Sequence, residues 1–131
     1  MGRGVAKAKL NQFQEAIADY DSAIELNQQQ DAETYYNRAI AKYELGQFKE
    51  AIADYDRAIE FDPEHAKAYN NRGNAKLVLK RYDEAVVDYN KAVEFNQQYA
   101  EVYYNRGVAK CELKQSQTHP CLLYTSPSPR D

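Results

Sequence analysis

The chain predicts an all-α solenoid, a stack of antiparallel helix pairs about three and a half units long. Two observations carry that expectation. The first is a repeat: Ala32 to His65, AETYYNRAIAKYELGQFKEAIADYDRAIEFDPEH, shifted by 34 residues, lands on Ala66 to Tyr99, AKAYNNRGNAKLVLKRYDEAVVDYNKAVEFNQQY. The copies share the skeleton A-x-x-Y-x-N-R-(A/G)-x-A-K-x-x-L-x-x-(F/Y)-x-E-A-(I/V)-x-D-Y-x-x-A-(I/V)-E-F. A fixed period of this length marks units that bury their apolar faces on their neighbours. The second observation is helical spacing of the apolar residues inside each unit.

Residues 1–31 read as a truncated first unit. Arg3-Gly4-Val5-Ala6-Lys7 aligns with Arg38-Ala39-Ile40-Ala41-Lys42, and Phe13 to Tyr20 aligns with Phe48 to Tyr55. Its first helix lacks an opening turn and is expected to fray, since short unpacked helices are marginal in water. Residues 32–65 are the second unit. Tyr35, Ala39, Lys42 and Leu45 fall at helical spacing, and Gly46 stands where a left-handed residue ends a helix. Asn11, Lys80 and Lys114 occupy the equivalent positions and are progressively poorer caps. The next helix carries Ala51, Ile52, Tyr55, Ala58 and Ile59, and Asp62-Pro63 stops it.

Residues 66–99 repeat the pattern as the third unit. Small residues at Gly73 and Gly107, and at Ala51, Ala58, Ala85 and Ala92, allow helix axes to approach closely. Residues 100–115 supply the first helix of a fourth unit. After that the pattern fails, and 116–131 is expected to be a disordered tail. Within it, CLLYTSPSPRD (residues 121–131) back-translates in ordinary codons to a transposase-type sequencing adaptor, so it reads as adaptor read-through. The repeat array is thereby expected to be cut in its fourth unit.

Composition narrows the function. Of 131 residues, 44% are hydrophobic and 28% charged, so a buried core is available. A net charge of −3 and a pI near 5.4 leave no basic footprint for nucleic acid. Acids and bases alternate as on solvated helix faces. Neither a signal peptide nor a membrane-length apolar run is present, and Cys111 and Cys121 have no metal-ligand or disulfide spacing. A reducing, intracellular, cytoplasmic setting follows as the expectation. His65 and His119 have no companion ligands, so no metal or cofactor is expected. The carboxylates Glu15/Glu50/Glu84 and Asp19/Asp54/Asp88 recur in every unit, whereas catalysis needs a unique constellation. The chain is therefore read as no enzyme.

Units of 34 residues with an aromatic at position four, Gly or Ala at eight, Ala at twenty and twenty-seven and Pro at thirty-two resemble tetratricopeptide repeats. The resemblance covers residues 3–115 and implies a right-handed stack that binds proteins. Three departures stand out. Arginine (Arg3, Arg38, Arg72, Arg106) replaces the family's leucine at position seven, and lysine (Lys7, Lys42, Lys76, Lys110) its aromatic at eleven. Proline survives only at Pro63, with Gln28 and Gln97 elsewhere. A charge at a position usually leucine needs a partner. Each arginine is therefore expected to pair with the aspartate sixteen residues on: Arg3 with Asp19, Arg38 with Asp54, Arg72 with Asp88.

The resemblance also implies a groove. Asn37, Asn71 and Asn105 hold position six, and an asparagine amide can donate and accept at once, as an extended peptide backbone requires. Beside them stand Tyr36, Asn70 and Tyr104, then Ile40, Asn74 and Val108. With helices about 8–10 Å apart and a strand rise of about 3.3 Å, three rungs span roughly six or seven peptide residues. Chaperone-binding members instead clamp a C-terminal carboxylate with a lysine- and asparagine-rich set. Here those positions hold Tyr36, Ile40, Asn71, Glu101 and Asn105, or, one unit earlier, Met1, Val5, Asn37, Lys67 and Asn71. Neither set makes the clamp. The function expected is a scaffold for an extended peptide. The alternatives are a structural module that joins subunits or self-associates through open ends, or the substrate-recruiting part of a larger enzyme. Because the pattern ends before it, removing residues 121–131 should leave the melting temperature unchanged; a clear drop would contradict this reading.

Overall fold

The computed structural model describes residues 2–27 and 31–118, with side chains from Lys9 onward to Gln117. Six helices run in order: α1 Gly2–Leu26, α2 Ala32–Glu44, α3 Phe48–Phe61, α4 Ala66–Val78, α5 Tyr82–Phe95 and α6 Ala100–Thr118. Each packs on the next, and α2–α4 and α4–α6 also touch, as a solenoid of helix pairs requires. The all-α repeat stack expected from the sequence is what forms.

The two complete units close alike. Gly46 (φ +80°) ends α2, and Lys80 (φ +62°) ends α4. In each turn a backbone N–H reaches back five residues, Gln47 to Lys42 and Arg81 to Lys76, both at 2.8 Å. Asp31 caps α2 by accepting from the Thr34 N–H at 2.8 Å, and that bond holds its carboxyl below the usual range. His65, read as an ordinary surface residue, caps α4 through Nδ1. The folded-back helices then bury Tyr55 and Tyr89 with Ala39, Ala51, Ala58, Ala85 and Ala92. A side chain at Gly73 would come within 2.7 Å of the Tyr89 ring, so the close approach expected there is real. Ile59 packs against both core clusters and joins the units.

The ends depart from the expected pairs. The first unit is one continuous helix, α1, with no turn at Asn11. A non-glycine left-handed residue costs roughly 1–2 kcal/mol. Helix α1 packs on α2 alone among the described elements, which leaves little to offset that cost. At the other end α6 passes Lys114 without turning and continues to Thr118, three residues beyond the array limit read at 115. No second-helix pattern follows for it to fold against. Gly107 accordingly faces open space rather than a partner helix. The remainder of the expected tail, 119–131, lies outside the described residues.

The arginine departures are explained by paired charges. Arg38 donates through Nε and Nη2 to both oxygens of Asp54 at 2.8 and 2.7 Å. Arg72 repeats this with Asp88 at 2.9 and 2.7 Å. The Asp54 and Asp88 side chains are only 5% and 2% exposed. Lysine at position eleven completes each cluster, Lys42 on Asp54 at 3.0 Å and Lys76 on Asp88 at 3.1 Å. The third guanidinium nitrogen makes a link the sequence reading missed. It reaches the preceding unit at Asp21, Asp56 and Asn90 from Arg38, Arg72 and Arg106, at 2.7, 2.7 and 2.8 Å. For the expected Arg3–Asp19 pair, the Arg3 side chain lies outside the described residues, and the two positions stand on one continuous helix, sixteen residues or about 24 Å apart, rather than on two arms of a turn.

Two outcomes test this account in denaturant unfolding. Asp54→Ala should cost about 2–3 kcal/mol, because it strands Arg38 and Lys42, whereas loss of the exposed Asp21 should cost under about 1 kcal/mol. Lys80→Gly should stabilise by about 0.5–1 kcal/mol, since it relieves the left-handed strain; a destabilised variant would contradict it.

Candidate functional site

The first helices α2, α4 and α6 carry position six of each unit on a shared face. Their amides do not stand as independent rungs. Asn71 Nδ2 donates to the Tyr36 hydroxyl at 3.0 Å, which ties the third unit to the second. Asn105 Nδ2 donates to Asn70 Oδ1 and Asn74 Oδ1, both at 3.2 Å, which ties the fourth to the third. Asn70 Nδ2 in turn lies within reach of Asn71 Oδ1, Tyr99 Oη and Glu101 Oε2, at 3.3, 3.4 and 3.4 Å. Tyr89 Oη donates to Asn74 Oδ1 at 2.6 Å and anchors the seam in the core. These bonds are between side chains, so the seam crosses three units without using backbone groups.

The nine positions expected to line the groove fall into three states. Asn71, Asn74, Asn105 and Tyr36 belong to the seam and are half-buried. Asn70 is buried completely, so it braces its neighbours rather than facing a ligand. Asn37, Ile40 and Val108 are half-buried, and Tyr104 is 74% exposed. Asn37 makes no side-chain hydrogen bond among the described residues. Tyr36 is held further by His65, whose ring lies 4.6 Å away, and by Tyr55 at 6.0 Å.

A pocket of about 190 Å³ opens on this face between α2, α3 and α4, lined by Ile40, Tyr43, Glu44, Tyr55, Asn71 and Asn74. Tyr43, Glu44 and Tyr55 were not among the residues expected there. Tyr55 could have been found, because Tyr55 and Tyr89 recur in register after the aspartates. Glu44 could not, since the third unit has Val78 at that place. Burial raises the Tyr55 and Tyr36 phenols above the ordinary range, each reinforced by a neighbouring tyrosine. Tyr43 is raised by burial and by the charge of Glu44. All three hydroxyls therefore stay protonated as hydrogen-bonding groups. No group of three His, Cys, Asp or Glu side chains gathers to hold a metal ion among the described residues.

Comparison with known proteins agrees with this architecture. Tetratricopeptide repeat families match residues 1–59, 41–79 and 66–99. No curated protein matches the sequence. Among solved structures, the Arabidopsis OM64 TPR domain is 33% identical with a TM-score of 0.73, over 82% of this chain and 93% of that one. The first TPR of Spaghetti (RPAP3), bound to the HSP90 peptide SRMEEVD, is 27% identical with a TM-score of 0.75, over 84% and 91%. The second TPR domain of human RPAP3, in complex with the HSP70 peptide SGPTIEEVD, is 26% identical with a TM-score of 0.72, over 83% and 90%. With its 34-residue period, its helix pairs and these matches, the chain belongs to the tetratricopeptide repeat family.

Proposed function

We propose that this array, a protein-interaction scaffold, holds an extended segment of a partner protein along the face shared by α2, α4 and α6. One observation carries the reading: the seam of amides and phenols is bonded sideways, Asn71 to Tyr36 and Asn105 to Asn70 and Asn74. Such bonds hold the amide planes in place before a ligand arrives, which reduces the ordering cost of binding. Asn71 keeps a second N–H beside the one given to Tyr36, Asn105 spends both of its N–H groups but keeps its carbonyl oxygen, and Asn37 makes no side-chain hydrogen bond among the described residues. Those groups match the alternating N–H and C=O of an extended backbone. Solved neighbours carrying HSP90 and HSP70 peptides support peptide capture as the mode.

The partner differs in kind from those peptides. At the positions where relatives clamp an acidic C-terminus, this chain places Tyr36, Ile40, Asn71, Glu101 and Asn105. A carboxylate there would meet Glu101 rather than a lysine. The segment is thus an internal stretch, read by its backbone. About six amide hydrogen bonds at roughly 1 kcal/mol net each face an association cost of at least about 4 kcal/mol. Backbone reading alone is weak, and side-chain contacts must supply the rest.

Asn37→Ala is the discriminating variant. With no side-chain hydrogen bond at Asn37 among the described residues, it should change stability by less than about 0.5 kcal/mol while weakening many peptides of a library by a similar factor. The combined loss of Asn37, Asn71 and Asn105 should abolish measurable binding and also cost about 1–2 kcal/mol of stability, since two of the three bridge units. Calorimetric melting beside library binding reads both quantities. A triple variant of lowered stability with unchanged peptide affinity would end the proposal.

A further inference from the structure

We propose that the pocket between α2, α3 and α4 receives a lysine or arginine side chain, so that the array selects basic segments. This rests on the groove reading above and names the residue type that the groove prefers. Glu44 stands at the pocket beside the rings of Tyr43 and Tyr55, with Ile40 as an apolar wall. A long basic side chain can lay its methylenes on such a wall while its cation meets tyrosine faces and a carboxylate. The amide oxygens are already engaged: Asn74 Oδ1 accepts from Tyr89 and Asn105, and Asn71 Oδ1 from Asn70. Glu44 is the anionic acceptor at the pocket.

The charge distribution gives the sign. In the arginine seam Asp21, Asp54, Asp56 and Asp88 are all matched by Arg38, Lys42, Arg72 and Lys76. In the groove the rule is reversed. Glu44 and Glu101 enter no ion pair among the described residues, and no cation lines the pocket. Glu101 lies against Asn70. Their fields act on the groove phenols: after burial, Glu44 adds to the upward shift of Tyr43, and Glu101 to that of Tyr36. Hydroxyls held protonated by nearby negative charge accompany a site that welcomes a cation and repels an anion.

Four pools of acetylated, amidated heptapeptides test this, with uncharged residues around a central Lys, Arg, Gln or Glu. Fluorescence polarisation against the full chain should rank Lys and Arg above Gln, and Gln above Glu. The Lys–Gln gap should be about tenfold, the sum expected of a cation–π contact and a half-exposed ion pair. It should shrink as salt is raised. Glu44→Gln should narrow the gap to the roughly threefold expected of the cation–π contact alone, and Glu44→Lys should turn the preference toward the Glu pool. Equal affinity for the four pools, or a lysine preference undiminished by Glu44→Gln, overturns the pocket assignment while binding of the Gln pool upholds the groove. Failure of every pool to bind overturns both.

Discussion

A guanidinium held by a carboxylate sixteen residues away is the constraint on which this stack depends. Arg38 and Asp54 stand on opposite arms of one turn, so their two-point bond forms only when the chain reverses at Gly46. Arg72 and Asp88 do the same across Lys80. Neither ion could remain unpaired between packed helices. Burial thereby converts a pair of charges into a condition on geometry. The remaining nitrogen reaches Asp21 or Asp56 and sets the spacing between successive units. Stacking of arginine over Tyr35, Tyr69 and Tyr103, at 5.3–5.5 Å, fixes the plane of each fork.

Opposite charges neutralise one another along that seam, and the shared face of α2, α4 and α6 behaves differently. There neutral amides and phenols bond to each other, and two glutamates remain without cations among the described residues. The division has a physical logic. Structural charges are placed where water is excluded and partners are internal. Under the proposed function, the charges of the other face stand where a ligand can supply the partner. The scaffold and the proposed binding face thus draw on different chemistry within one repeat.

The repeat makes the middle of the molecule easy to read and the ends hard. Turn positions at Asn11 and Lys114 align with Gly46 and Lys80, yet α1 and α6 run straight through them. Alignment registers residue types, whereas the turn forms only when packing repays a strained left-handed residue. His65 shows the same limit. As an isolated histidine it carries no signal, but it caps α4 and packs its ring, tilted, against Tyr36 because the connector brings it there.

By itself the sequence determined the period, the core tyrosines and alanines, and, in the two complete units, the helix pairs and the arginine–aspartate pairs. Those depend on contacts between residues fewer than 20 apart, which recur with every copy and so stand out against the rest. The tertiary structure alone decided the arginine links between units, the sideways bonding of the asparagines and the burial of Asn70. It also placed Glu44 beside Tyr55. Each of those rests on how one unit is rotated against the next. That rotation follows from the packed volumes and paired charges at the interface, and no single copy of the repeat contains it.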